Sequence, residues 1–284
     1  MWRAALSLAY GTFETSHVAS CPDVAPECSE FAIPDHEHRA RLGLFHGDLI
    51  VSHGVNERLT LSGRLPYDVK DMEIEYRTLE GDSYEPPYGD IHHRTEVLRG
   101  LSDAELLATY TLAPGWLIGA GLTIPLGQTE ADPIELGRRG LRHQHIQFGS
   151  GTVDPRLAIQ WSYLLGRVQI SAAGDARIPL YENRHGFKAP VTLRWSLGPN
   201  VSVGTTGLSV QFAGQYQSIG RWNGEVDEGT GFHHGGVFLN GSFLIAPALR
   251  VSPGIYLEAF SESLSEESFR QKPTFSIVVS RFFP

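Results

Sequence analysis

Thr274-Phe275-Ser276-Ile277-Val278-Val279-Ser280-Arg281-Phe282-Phe283 sorts its side chains by parity. Phe275, Ile277, Val279 and Phe283 fall on one face, with Arg281 the exception, and Thr274, Ser276, Val278 and Ser280 on the other. Successive side chains of a strand point to opposite faces, so this is a strand with one apolar and one mostly polar side. Its ten residues match the length with which a tilted strand crosses a bilayer. A half-buried edge strand of a soluble sheet would carry the same pattern, so the rest of the chain has to decide.

Composition narrows the choice. The chain has 284 residues, 41% of them hydrophobic, with a mean hydropathy of -0.16. A barrel in lipid gives such an average because lipid-facing and lumen-facing residues alternate and cancel. No apolar run approaches the ~18 residues of a membrane helix. Thirty-one Gly and 17 Pro, without sustained helical periodicity, favour strands and turns. A net charge of -9 and no basic patch exclude nucleic acid as a partner. Cys21 and Cys28 sit close together in a polar segment, where a local disulfide in an oxidising compartment is the expectation. No signal peptide is visible, so an exported form would be numbered from its mature start.

The same alternation recurs along the chain. It predicts strands over 2–13, 38–52, 58–65, 103–112, 116–126, 153–163, 167–178, 188–197, 201–216, 237–245, 249–260 and 274–283. A phase change between Gly204 and Gly207 predicts a β-bulge in the ninth. Short turns such as Gly54-Val55-Asn56-Glu57 and Ala113-Pro114-Gly115 alternate with long polar loops, near 15–37, 66–100 and 127–151 among others. Trp2, Tyr10, Trp116, Trp161, Tyr163 and Trp195 lie on the apolar face, as interfacial girdle aromatics do. A soluble sandwich alternates too, but does not sort its connections so regularly into short and long. The expectation is therefore one domain over 1–284: an all-β, 12-stranded antiparallel transmembrane barrel with short periplasmic turns and long extracellular loops. Outer-membrane lipid and lipopolysaccharide, in a Gram-negative-type bacterium, would surround it, and the terminal strand ending in Phe would close it.

The opposite face of these strands defines a candidate lumen. Arg64, Glu105, Asp154, Arg156, Gln160, Arg167, Asp175, Arg177, Lys188, Arg194, Arg250 and Glu258 are expected to line it. Charges are cheap facing water or one another there, and costly facing lipid, by roughly 2–4 kcal/mol for Arg or Lys. They would act as a selectivity lining, as an ion-paired ladder that stiffens the bore, or as both. Histidines pair in or beside the loops: His36 and His38, His92 and His93, His143 and His145, His233 and His234. Converging over one mouth with Asp35, Glu37 and Asp90, they could collect a divalent cation such as Zn or Cu. No other cofactor is expected. Nor is catalysis: His143, His145 and Ser150 are near in sequence, but no His-x-Ser-Asn pattern is present, and Ser52-His53 lies at a turn end.

Several short motifs carry a resemblance. Gly54-Val55-Asn56-Glu57-Arg58-Leu59 through Leu65-Pro66-Tyr67, Gly100-Leu101-Ser102-Asp103, Ile124-Pro125-Leu126-Gly127 and Gly149-Ser150-Gly151-Thr152-Val153-Asp154-Pro155 resemble the meta-pathway phenol-degradation family of outer-membrane transporters. The resemblance covers about residues 40 to 283. It implies uptake of aromatic compounds and supplies no catalytic motif. From the residues and the resemblance together, the expected function is passive passage of small molecules through a polar lumen. The loops at 66–100 and 127–151 are the expected constriction, and divalent-cation capture by the loop histidines is the alternative.

Overall fold

The computed structural model describes residues 1–19, 33–86, 95–143, 146–227, 229–264 and 270–283. The wall of the molecule begins with three long strands: β1 (Trp2–Ala19), β2 (His36–Gly54) and β3 (Leu59–Thr78). Shorter ones follow: β4 (Glu96–Leu101), β5 (Ala104–Ala113), β6 (Trp116–Ile124), β7 (Pro155–Leu165), β8 (Val168–Arg177), β10 (Thr192–Val203) and β11 (Thr206–Gln217). β14 (Phe232–Ala246), β15 (Leu249–Ser263), β16 (Arg270–Gln271) and β17 (Thr274–Phe283) complete the wall. These fourteen segments form one antiparallel sheet that closes on itself, because β1 pairs with β17 on one side and β2 on the other. β4 and β5 pair with successive halves of β3, and β16 and β17 with successive parts of β1, so the ring has twelve wall positions.

The chain turns briefly at one end of the ring, as at Pro114–Gly115, Gly166–Arg167 and Gly204–Thr205, and by long loops at the other. The expected bulge near Gly204 is a correction: Gly204, at φ 60°, opens the hairpin between β10 and β11, and Val203 pairs with Thr206 across it. The phase change in the sequence marks this reversal, which only a residue tolerant of positive φ makes cheaply. The second loop is also shorter than expected, since β3 runs on to Thr78 and β4 begins at Glu96.

Burial is inverted relative to a soluble protein. Apart from a few prolines such as Pro133, the buried apolar side chains among the described residues are Ala5, Phe187 and Trp222, whereas fourteen polar or charged ones are buried. Large apolar side chains such as Leu6, Leu157, Leu197 and Phe275 stand about half exposed on the outside. A sandwich would hide these between two sheets; here they form the belt that lipid covers. Closure is what makes this workable, because an open sheet edge in hydrocarbon leaves N–H and C=O groups unsatisfied at several kcal/mol each. Arg281, the exception in the closing strand, lies at the turn end with its guanidinium 5.3 Å from the Phe283 ring centroid, where a long basic side chain reaches the interface. The molecule is thus a closed outer-membrane barrel.

The outer face of β1–β3 changes character along its length. Leu6, Tyr10, Leu49, Phe45, Leu65 and Tyr67 are apolar and exposed, and the same faces then carry Glu14, Arg41, Arg39, Glu73 and Glu75. Arg41 pairs with Glu73 at 2.8 Å and Lys272 with Glu14 at 2.8 Å. With 18, 19 and 20 residues, these three strands are about twice as long as β5 to β8, and the excess projects past the bilayer by roughly 20 Å. Replacing Ile159, half exposed on the outside of β7, by Arg should lower barrel stability by about 2–4 kcal/mol in urea titrations of protein in vesicles. The same change at Gln160, its inward neighbour, should cost far less; equal losses would contradict the assigned faces.

Candidate functional site: a lumen lined by an ion-pair ladder

The inner face of β2 to β10 carries an unbroken row of charges near the loop ends of the short strands. Register places Arg64 beside Glu105 and Arg194 beside Asp175, while Asp48 lies two residues from Ile50, the register partner of Arg64, and Asp175 two residues from Arg177, the register partner of Arg156. The contacts alternate in sign. Arg64 Nε donates to Asp48 at 2.7 Å and Arg64 Nη1 to Glu105 at 3.0 Å. Arg156 donates to Glu105 and, at 2.5 Å, to Asp175. Arg194 donates to the same Asp175 through Nε at 3.0 Å and Nη2 at 2.8 Å. Next to Asp48, His46 meets Asp68 at 2.5 Å through Nδ1, and Ser102 donates to Asp68. Depth varies along the row: Asp48 is 8% exposed and Arg64 23%, Arg156 is 7% exposed between Glu105 at 16% and Asp175 at 25%, and Arg194 at the end is 41% exposed.

A second cluster pins the third loop to the wall. Arg177 donates through Nη2 to Asp103 at 2.7 Å and to Ser150 Oγ at 2.6 Å, and through Nε to Asp154 at 2.8 Å. Ser150 N donates to Asp103 at 2.8 Å, Ser150 Oγ to Asp154 at 2.9 Å, and Thr152 Oγ1 to Asp154 at 2.6 Å. Asp103 and Asp154 are almost wholly buried. Arg177 pairs with both carboxylates, and hydroxyls and backbone N–H groups complete their shells, which lowers the penalty for burying them. Close approach matters here: a Cβ on Gly149 would sit 2.1 Å from an Asp103 carboxylate oxygen. Further along the loop, Lys70 donates from inside β3 to the Gln147 carbonyl at 2.5 Å, and its ammonium lies 4.5 Å from the Phe148 ring centroid. Residues 147–150 thus lie against the inner faces of β3 and β4, within the mouth.

The loops above this mouth are braced together. Helix α1 (Pro133–Arg138) starts at Asp132, whose side chain accepts from Ile134 N at 2.9 Å and Glu135 N at 3.2 Å, a side-chain N-cap with Pro at the next position. β9 (Phe187–Lys188), β12 (Gly220–Trp222) and β13 (Glu225–Asp227) make a small second sheet around the Phe187–Trp222 ring contact. Arg138 meets Glu225 at 2.8 Å, and Asn223 donates to Asp132 at 2.7 Å, so α1 and the small sheet hold each other.

Of the residues expected in the lumen, Arg64, Glu105, Arg156, Asp175 and Arg194 form the row, and Asp154 and Arg177 the loop-anchoring cluster. Gln160 shares the inward parity of Arg156, and Arg250 donates to Ser242 at 2.8 Å. Glu258 accepts from Gln271 N at 3.2 Å. Two placements are corrections. Arg167 lies in the β7–β8 turn because the strand ends at Leu165, and Lys188 lies on the small loop sheet, exposed, because β10 begins only at Thr192. Sequence reasoning missed Asp48, Asp68 and Asp103, which sit in or just beside stretches read as strand or loop without a visible partner.

The histidines divide. His36 and His38 meet at 3.0 Å between Nε2 atoms, with His17 beside them and Tyr76 and Tyr84 around them. His143 bonds the Leu141 carbonyl at 2.8 Å, and His233 and His234 lie on β14. His92, His93 and His145 lie outside the described residues, as do Cys21 and Cys28 with their expected disulfide. Among the described residues no group of three or more His, Cys, Asp or Glu could hold a metal ion. Ser150 Oγ donates to the Asp103 and Asp154 carboxylates and accepts from Arg177.

No family model matches the sequence, and no curated protein matches it significantly. Solved structures do. The COG4313 outer membrane channel from Pseudomonas putida F1 superposes with a TM-score of 0.59 at 14% identity, over 99% of this chain and 95% of that one. The Pseudomonas putida toluene transporter TodX gives 0.49 at 11% identity, over 99% and 89%, and the KdgM porin 0.44 at 8%, over 97% and 99%. At 14% identity the first of these likenesses is one of fold, and it agrees with the closed barrel described above. The motif resemblance to phenol-degradation transporters finds no matching family model, and only its coarser content, an outer-membrane barrel, stands.

Replacing Arg156 by Met should destabilise the barrel by about 3–5 kcal/mol, the usual cost of breaking a buried ion pair by removing one partner. Glu105 and Asp175 would each keep a single guanidinium, and the urea midpoint should fall accordingly. An unchanged midpoint would mean that the row does not hold the wall.

Proposed function

We propose that the protein is a passive channel for small organic solutes across the outer membrane of a Gram-negative-type bacterium. The observation that carries this reading is the two-sided interior. On one side runs the row of guanidiniums, and on the others the inner wall offers small uncharged residues such as Ser7, Ala9, Ala213, Gly236 and Ser276. Above the row the inward face of the long strands carries an apolar band, Phe13, Leu42 and Met72 side by side with Ala40 and Ile74 in the next rank, before the His17, His38 and Tyr76 group further out. An apolar vestibule leading to a polar constriction suits a solute with a greasy body and a polar end, and aromatic compounds belong to that class. Segment 147–150, held by Arg177 and Lys70, is the constriction in this reading.

In planar bilayers the purified protein should give discrete conductance steps. Replacing Arg177 by Ala should free the third loop and raise the unit conductance at least twofold. Silence at every potential would remove the channel reading and leave a plugged, structural barrel. The loop histidines carry no second proposal, since among the described residues no ligand set stands behind a divalent-cation function.

A further inference from the structure

The charged row has two unlike ends. Arg64 lies between Asp48 and Glu105, and Arg156 between Glu105 and Asp175, so each of these cations is flanked by two carboxylates. Arg194 closes the row on β10 and has one carboxylate, Asp175, which it shares with Arg156. Beyond it, β11 presents Gln215 in register and no acid, and the row stops. The Arg194 fork is therefore half used: Nε and Nη2 are engaged by Asp175, and the remaining guanidinium N–H groups carry no bond to a described residue. At 41% exposure it is also far more open than Arg156, at 7%.

Beside this cation the inner wall is hollowed. A recess of about 360 Å³ is lined by Leu107, Leu117, Ala158 and Ala173, with Thr109, Gln160 and Arg194 among them and with Asp175, whose carboxylate is already held by Arg156 and Arg194. That volume is in the range that holds a small organic molecule, and the lining combines an apolar floor with a few polar groups. A half-used guanidinium fork at the edge of such a floor matches a carboxylate, which it can bind through paired N–H donors.

We propose that Arg194 and this recess form a binding subsite for small organic carboxylates, with the carboxylate on the guanidinium and the apolar body against Leu107, Leu117 and Ala158. The subsite rests on the channel reading only for its role in passage; as a binding site it stands on its own geometry. It makes the barrel selective among small organic solutes, favouring monoanions over uncharged molecules of the same shape.

Hexanoate and 1-hexanol, titrated calorimetrically into the full-length protein in maltoside micelles with empty micelles subtracted, provide the test. Hexanoate should bind at least tenfold more tightly than 1-hexanol. Arg194→Gln should erase the difference, and Arg194→Lys, which keeps the charge but not the fork, should restore part of it. Should Arg194→Gln fail to fold, Gln160→Glu, which sets a carboxylate into the recess, should abolish hexanoate binding with the arginine intact. Equal affinities for the two probes in the wild type, or undiminished hexanoate binding in Arg194→Gln or in Gln160→Glu, would overturn the subsite. Hexanoate binding by a protein that passes no current would support the subsite while removing the channel, so the two readings fail separately.

Discussion

The structure depends on β1 being hydrogen-bonded along both of its edges. With β17 on one side and β2 on the other, the sheet has no free edge through the membrane, and every strand can turn its apolar side chains outward. Once closure is granted, the inverted burial follows. Side chains that cannot face lipid must face the bore, and charges crowded there must compensate one another. The row from Asp48 to Arg194 is that compensation, spread over β2, β3, β5, β7, β8 and β10. It ties strands distant in sequence with contacts that water alone would not supply.

The row also decides what the bore presents. Balanced in number, its charges are unbalanced in depth, with Asp48 and Arg156 packed away and Arg194 open to the lumen. Field strength inside a narrow polar pore depends on which group is uppermost rather than on formal counts. The Asp103–Ser150–Asp154–Arg177 cluster binds the C-terminal end of the third loop to the wall, and Lys70 holds Gln147 against β3.

Much of this was legible in the residues. Period-two patterning located twelve wall positions, because a half-lipid, half-water strand alternates more cleanly than any soluble one. Inward charges on the short strands followed from the same parity. What the pattern could not convey was where alternation ends. β3 continues from Leu65 to Thr78 past Pro66, and its outer face there is charged, so the part projecting from the bilayer reads like a loop. Arg167 and Lys188 were misplaced by the same difficulty of a boundary shifted by a few residues. Partners distant in sequence, such as Asp103 with Arg177, leave no local mark at all. The short helix α1 did leave one, in Asp132 followed by Pro133, but six residues are too few to show a helical period.

The unequal strand lengths give the cylinder an oblique rim. β1, β2 and β3 stand as a palisade whose outer face is a lattice of opposite charges, while β6 stops at Ile124 and β7 starts at Pro155, with the α1-bearing loop between them. The cylinder therefore faces the outside unevenly, with tall charged strands on one flank and a braced loop on the other.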